Sequence, residues 1–187
     1  MNNNIRAFIA LDVSAKGTLE QLQHDISTFS RWDPLLVKPV KKENFHFTII
    51  FLGETDQAYI DSIRTRLSEL LFEPIEIIYK TIGAFPSTNV ARIIWIGIEE
   101  EGRRKLVDLA NMVLSKIAHV GVICTKPFVP HLTLFRVKTG YLKMESILSR
   151  YEDKTFGSDV VRKICLKQSI LTYSGPVYSD IFTVYAK

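Results

Sequence analysis

His46-Phe47-Thr48-Ile49 and His131-Leu132-Thr133-Leu134 share one pattern, a histidine and a threonine separated by a single apolar residue. Side chains alternate between faces along an extended strand, so each histidine shares a face with its threonine, about 7 Å apart. Phe47, Ile49, Leu132 and Leu134 point the other way, into a core. Two imidazoles and two hydroxyls brought together suit transfer at phosphorus. One neutral imidazole takes a proton from the nucleophile, and one imidazolium gives a proton to the leaving oxygen. The hydroxyls donate to the non-bridging oxygens as the pentacoordinate state forms, without a metal. The pattern assigns the pair but not which histidine is acid and which is base. A single His-x-Thr is usually a satisfied polar group beside a strand. Here two of only 4 histidines fall in the pattern alongside 13 threonines, a coincidence on the order of one in a thousand for random placement. His24, off the apolar stripe of the first helix, and His119, after the third helix, read as solvated.

The elements that must position these groups follow from hydrophobic spacing. Ile5 to Leu11 reads as a strand, followed by a helix capped by Ser14 with Leu19, Leu22, Ile26 and Phe29 on its apolar stripe. Phe45 to Leu52 reads as a strand, and Ile60, Ile63, Leu67 and Leu70 mark a second helix. Ile75–Ile78 and Ala91–Ile98 are strands on either side of a turn over Gly83 to Asn89. Leu106, Leu109, Val113 and Ile117 mark a third helix that stops near Gly121. Pro127–Val137 reads as a strand, Tyr141, Met144, Leu148 and Tyr151 as a short helix, and Val160–Leu171 and Val177–Tyr185 as strands around the turn Ser174-Gly175-Pro176. Adjacent hairpin-like strands favour an α+β fold with antiparallel sheet over a doubly wound parallel one. The two histidines lie 131 − 46 = 85 residues apart in a chain of 187, and each half offers a helix and then a strand beginning with histidine. That echo suggests two similar lobes packed face to face, residues 1–187 forming one bilobal domain.

Composition sets the bounds. With 47% apolar and 24% charged residues the chain is globular, and it is long enough to hold a core without disulfide or metal. The 2 cysteines, Cys124 and Cys165, read as buried thiols in a reducing compartment. No apolar run approaches the roughly 20 residues needed to cross a bilayer, and the amino end resembles no secretory leader, so a cytoplasmic protein is expected. A net charge of +4 suits an anionic ligand without demanding one. No glycine-rich phosphate loop indicates a nucleotide cofactor, and the two histidines have no third ligand at metal spacing. Phe8, Phe45 and Tyr173 are candidates for stacking a base, with core packing as the alternative. Arg6, Lys38, Lys41, Lys42 and Arg92 are candidates for steering RNA.

The sequence resembles the 2H phosphoesterases, and within them the RNA 2′,3′-cyclic phosphodiesterases, also called 2′-5′ RNA ligases or LigT-like proteins. The resemblance covers nearly the whole chain. It is carried by Arg6 to Asp12, Glu43 to Glu54, Gly83-Ala84-Phe85-Pro86 followed by Ala91 to Trp95, Pro130 to Arg136, and Ser174 to Tyr178. It implies two lobes with antiparallel sheets lining a central groove and helices outside. It also implies His46 as proton donor, His131 as proton acceptor, and Thr48 and Thr133 as phosphate holders. Arg136 matches the family's arginine after the second motif, but strict alternation puts it on the face opposite Thr133. A bulge or strand end at Phe135 is needed for it to reach the phosphate.

The expected activity is metal-independent opening of a terminal 2′,3′-cyclic phosphate to a 2′-phosphate, with 2′-5′ ligation when an RNA 5′-hydroxyl replaces water. No cofactor is expected. The expected partner is RNA with such an end, tRNA fragments among the options, acted on by a monomer whose groove has room for a nucleotide. The rivals are a phosphate- or nucleotide-binding module without turnover, and a 2H enzyme acting on a small cyclic nucleotide.

Overall fold

Ile5 to Asp12 forms the first strand, β1, because its run of apolar residues is buried on both faces between two neighbouring strands. In order there follow α1 (Lys16–Ser30), β2 (Val37–Pro39), a 3-10 turn (Lys42–Asn44), β3 (His46–Thr55), α2 (Gln57–Leu67), β4 (Ile75–Phe85) and β5 (Ile93–Ile98). The second half contains α3 (Glu100–Ala118), β6 (Leu132–Val137), α4 (Glu145–Tyr151), β7 (Thr155–Val161), β8 (Lys163–Thr172) and β9 (Gly175–Tyr185). This computed structural model describes residues 4–124, 126–173 and 175–187. Ser174 of the closing turn lies outside them.

The fold is α+β with antiparallel strand pairs throughout, as expected. The strands run in the order β7-β4-β5-β6-β3-β1-β8-β9, with β2 on the edge of β6. Two four-stranded halves, β3-β1-β8-β9 and β6-β5-β4-β7, meet at a single pair, Phe47 opposite Leu132. An offset of 85 residues carries β1 onto β5, β3 onto β6, β4 onto β8, α1 onto α3 and α2 onto α4 to within a few residues. The sheet is therefore two related lobes hinged on their central strands.

Several boundaries differ from the sequence reading. Gly83, Ala84 and Phe85, read as turn, continue β4 and pair with Trp95, Ile94 and Ile93. Val160–Leu171 is two strands, since β7 ends at Val161 and β8 begins at Lys163. The strand expected from Pro127 starts only at Leu132. Pro127 and Pro130 have no N–H to give a ladder, so the residues between them run as loop. Phe29, placed on the apolar stripe, is 38% exposed, and Arg150 lies over its ring instead of a core neighbour.

Ser14 does not cap α1. The helix starts after Ala15 without a side-chain cap of its own, and Asp159 of β7 takes that role from 145 residues away. Its Oδ2 accepts the Ser14 and Ala15 N–H groups, both at 2.8 Å, and the Tyr79 hydroxyl at 3.0 Å. Asp159 is buried, and burial with the neighbouring carboxylate drives the Tyr79 phenol pKa upward, keeping it a donor. Removing the carboxylate orphans the buried Tyr79 hydroxyl and the partly buried N–H groups of Ser14 and Ala15, along with the Val160 N–H that its Oδ1 accepts at 2.7 Å. We expect Asp159→Ala to lower stability by ~2 kcal/mol in urea unfolding, with Asp159→Asn losing less because one acceptor remains. A loss below ~0.5 kcal/mol for the alanine variant would mean that water serves those donors equally well.

Candidate active site

The antiparallel pairing of Phe47 with Leu132 fixes how the two tetrapeptides meet. In that register Thr133 lies across from His46, and His131 lies across from Thr48. Phe47 and Leu132 are fully buried on the core side. The four polar groups face a groove of about 1310 Å³ that opens where β3 and β6 diverge, and Arg136 lines it too.

The two imidazoles are held alike. His131 donates from Nδ1 to the Val129 carbonyl at 2.8 Å, leaving Nε2 on the groove side. His46 bonds the Asn44 carbonyl, again two residues back, and its Nε2 lies 2.9 Å from the Thr48 hydroxyl. Each ring packs edge-on against an aromatic, His46 against Tyr178 at 5.4 Å and His131 against Phe85 at 4.9 Å and Trp95 at 6.2 Å, and Phe8 lies tilted against His46 at 5.1 Å. The Trp95 indole lies across Gly83, where any Cβ would collide with it.

A family model for LigT-like phosphoesterases matches the chain twice in succession, over residues 9–95 and 96–178. The chain belongs to the LigT-like phosphoesterase family. It is similar to the RNA 2′,3′-cyclic phosphodiesterase of Archaeoglobus fulgidus, at 39% identity over 95% of this chain and 98% of that protein. The protein of the same name from Methanocaldococcus jannaschii is 34% identical over 95% of this chain and 98% of its own. The fold matches a crystal structure of Escherichia coli LigT complexed with 3′-AMP, with a TM-score of 0.76 and 23% identity over 98% of this chain and 99% of that one.

As a LigT-like phosphoesterase the chain departs from simple alternation at both motifs. Ile94 faces Phe135 but Trp95 faces Thr133, so Leu134 is an extra residue in β6. The bulge sits one position before the expected Phe135 and returns Arg136 to the face of Thr133. The Leu134 carbonyl accepts the Val40 N–H at 2.8 Å and the amide of buried Gln23 at 2.6 Å. Nothing in the sequence marks Gln23, which has the look of an ordinary polar helix residue. On β3 the matching extra residue is Ile49, since Ile9 faces Ile50 while Ala10 faces Thr48. The residue 85 positions before Arg136 is Phe51, 70% exposed and also in the groove lining.

The other candidates separate. Phe8 and Phe45 are core residues, whereas Tyr173 is exposed and lines the groove. Lys38 and Lys41 line it as well. Lys42 pairs with Glu20 at 3.1 Å, and Arg92 Nε donates to the Gly140 carbonyl at 3.2 Å. Cys124, expected to be buried, is exposed at the groove, and Cys165 is buried, which pushes its thiol pKa up to about 12. Asp12, Cys165 and Asp180 bring possible ligand atoms within 4.8 Å of one another behind His46. The Lys167 ammonium already occupies that cluster, 2.9 Å from Asp12 and bonded to Asp180.

Burial, with the Lys167 charge next, holds the His46 pKa down to about 4. Between pH 4 and the ordinary value of 6.5 the unfolded chain therefore binds more protons than the folded one. Stability then rises with pH across that window and falls on acidification, levelling below pH 4, by up to ~3 kcal/mol. We expect melts in phosphate-free buffer to show this slope and His46→Gln to flatten it. An unchanged slope in the variant would assign the acid sensitivity to other groups.

Proposed function

We propose that this protein is a metal-independent RNA 2′,3′-cyclic phosphodiesterase that opens a terminal 2′,3′-cyclic phosphate to a 2′-phosphate. The observation that carries the reading is the quartet His46, Thr48, His131 and Thr133 facing one groove, in a chain whose relatives bear that name. With Nδ1 committed to the Val129 carbonyl, neutral His131 presents the lone pair of Nε2 as general base. It takes a proton from the attacking water as the new P–O bond forms. The P–O3′ bond breaks with its electron pair on O3′, and His46 Nε2–H protonates that oxygen. Burial keeps His46 neutral at pH 7, and a negative phosphate lying against it raises its pKa toward the acid form. The hydroxyls of Thr48 and Thr133 and the guanidinium of Arg136 hold the non-bridging oxygens. An RNA 5′-hydroxyl in place of water gives a 2′-5′ linkage by the same proton transfers. The proposal takes residues 1–187 as one bilobal unit acting as a cytoplasmic monomer, with room in the groove for a nucleotide.

The test is incubation of the protein, in excess chelator, with an oligoribonucleotide ending in 2′,3′-cyclic phosphate. We expect undiminished turnover and a 2′-phosphate product. Activity lost in chelator and restored by zinc or manganese overturns the metal-free mechanism. A 3′-phosphate product overturns the bond assignment, and tight binding without turnover makes the protein a binding module.

A further inference from the structure

The groove lining contains Lys38, Lys41, Lys126, Arg136 and Lys138 and, among the described residues, no aspartate or glutamate. Elsewhere on the surface the basic residues are often neutralised, as in Lys42–Glu20, Arg103–Glu100, Lys105–Glu101 and Lys116–Glu69. Three of the groove cations are concentrated on one ladder. Lys38 of β2 lies directly opposite Arg136 of β6, and Lys138 follows two residues on, its N–H bonded to the Leu36 carbonyl. Like charges opposite one another destabilise a strand pair. The contact is close enough that Lys38 lowers the Lys138 pKa, and no carboxylate among the described residues pairs with either. An arrangement that repels itself in the free protein is relieved by an anion.

The anion's place follows from β6. Lys138 is five residues beyond Thr133, roughly 15 Å along the strand, well away from a phosphate held between the histidines. The opposite arm is unlike it, because the counterpart of Arg136 there is the exposed ring of Phe51. On an RNA ending in a 2′,3′-cyclic phosphate, every other phosphate lies on the 5′ side of the reacting group. We infer that Lys38 and Lys138 form a subsite for backbone phosphates 5′ to the reacting end, making an RNA strand rather than a mononucleotide the preferred substrate. The inference rests on the cyclic phosphodiesterase reading for the reacting end only. The subsite itself is a matter of anion binding.

The experiment compares kcat/KM for adenosine 2′,3′-cyclic phosphate and for a short oligoribonucleotide with the same terminus, in wild type and Lys38→Ala/Lys138→Ala. Both lysines are exposed, so the fold tolerates the change. We expect at least a tenfold wild-type preference for the strand, expressed in KM, falling toward unity in the double variant and kept in Lys38→Arg/Lys138→Arg. The slope of log kcat/KM against log salt for the strand should become shallower by about 1.4, the value for two fewer phosphate contacts on single-stranded RNA. Equal use of the two substrates by wild type, or a preference unchanged in the alanine variant, overturns the inference. If wild type cleaves neither substrate, the phosphodiesterase reading fails. Anisotropy with a labelled 3′-phosphate oligonucleotide then decides the subsite, which stands if the alanine variant binds at least tenfold more weakly and falls if it binds equally.

Discussion

His46→Ala and His131→Ala should each lower turnover of a cyclic-phosphate RNA end by roughly 10²- to 10⁴-fold, the range for removing a positioned proton-transfer group. Both rings sit on backbone carbonyls and aromatic faces and line the same groove, so each loss is one of chemistry more than of binding. The double variant should be far less impaired than the product of the two single losses, because removing either partner already abandons the concerted path. A substrate with sulfur in place of the leaving O3′ separates the two roles. A thiolate leaves without help, so this substrate should restore much of the rate to His46→Ala and little to His131→Ala. Rescue of His131→Ala instead would exchange acid and base. Near-wild-type turnover by either alanine variant on the ordinary substrate would sink the two-histidine mechanism.

Phe47→Ala should cost about 3–5 kcal/mol, the range for deleting a fully buried phenyl ring. Phe47 has no exposed surface, stacks on Tyr79 at 6.5 Å and 12°, and forms the single pair that joins the two halves of the sheet. Phe47→Leu should recover much of that stability by refilling volume. Activity should fall further than His46 or Thr48 contacts alone would suggest, because the same pair sets the register of all four polar groups. Urea unfolding beside kinetics on the folded fraction separates the two effects. A stability loss under ~1 kcal/mol would mean that neighbouring side chains close over the cavity.

What could be read from the sequence was whatever depended on local period and residue type. The His-x-Thr pairs, the apolar stripes of Leu19, Leu22 and Ile26 or of Leu106, Leu109, Val113 and Ile117, and the 85-residue echo are all local signals, and the helices lie where those stripes place them. What was lost depended on partners distant in sequence. Asp159 gives no sign of capping a helix that begins 143 positions before it. Gln23 gives no sign that its amide finishes a bulge at Leu134. Gly83 looks like a turn because glycine usually marks one, yet here it makes room for an indole inside a strand. The need for a bulge before Arg136 could be foreseen from parity, but its position at Leu134 could not.

The two tandem family matches do not coincide with the two halves of the sheet. β4, from the first match, lies beside β5 in the far half, and β8, from the second, lies beside β1 in the near half. Each repeat therefore lends a strand to the other. Ile9 acquires its neighbour Leu166 only after a further 166 − 9 = 157 residues have been made. Contacts of such sequence separation slow folding, because loop closure is paid for before the contact rewards it. On the ribosome β1 and β3 must wait as an open-edged antiparallel pair until β8 emerges, so the first repeat synthesised alone should remain an exposed sheet edge rather than a half-size enzyme.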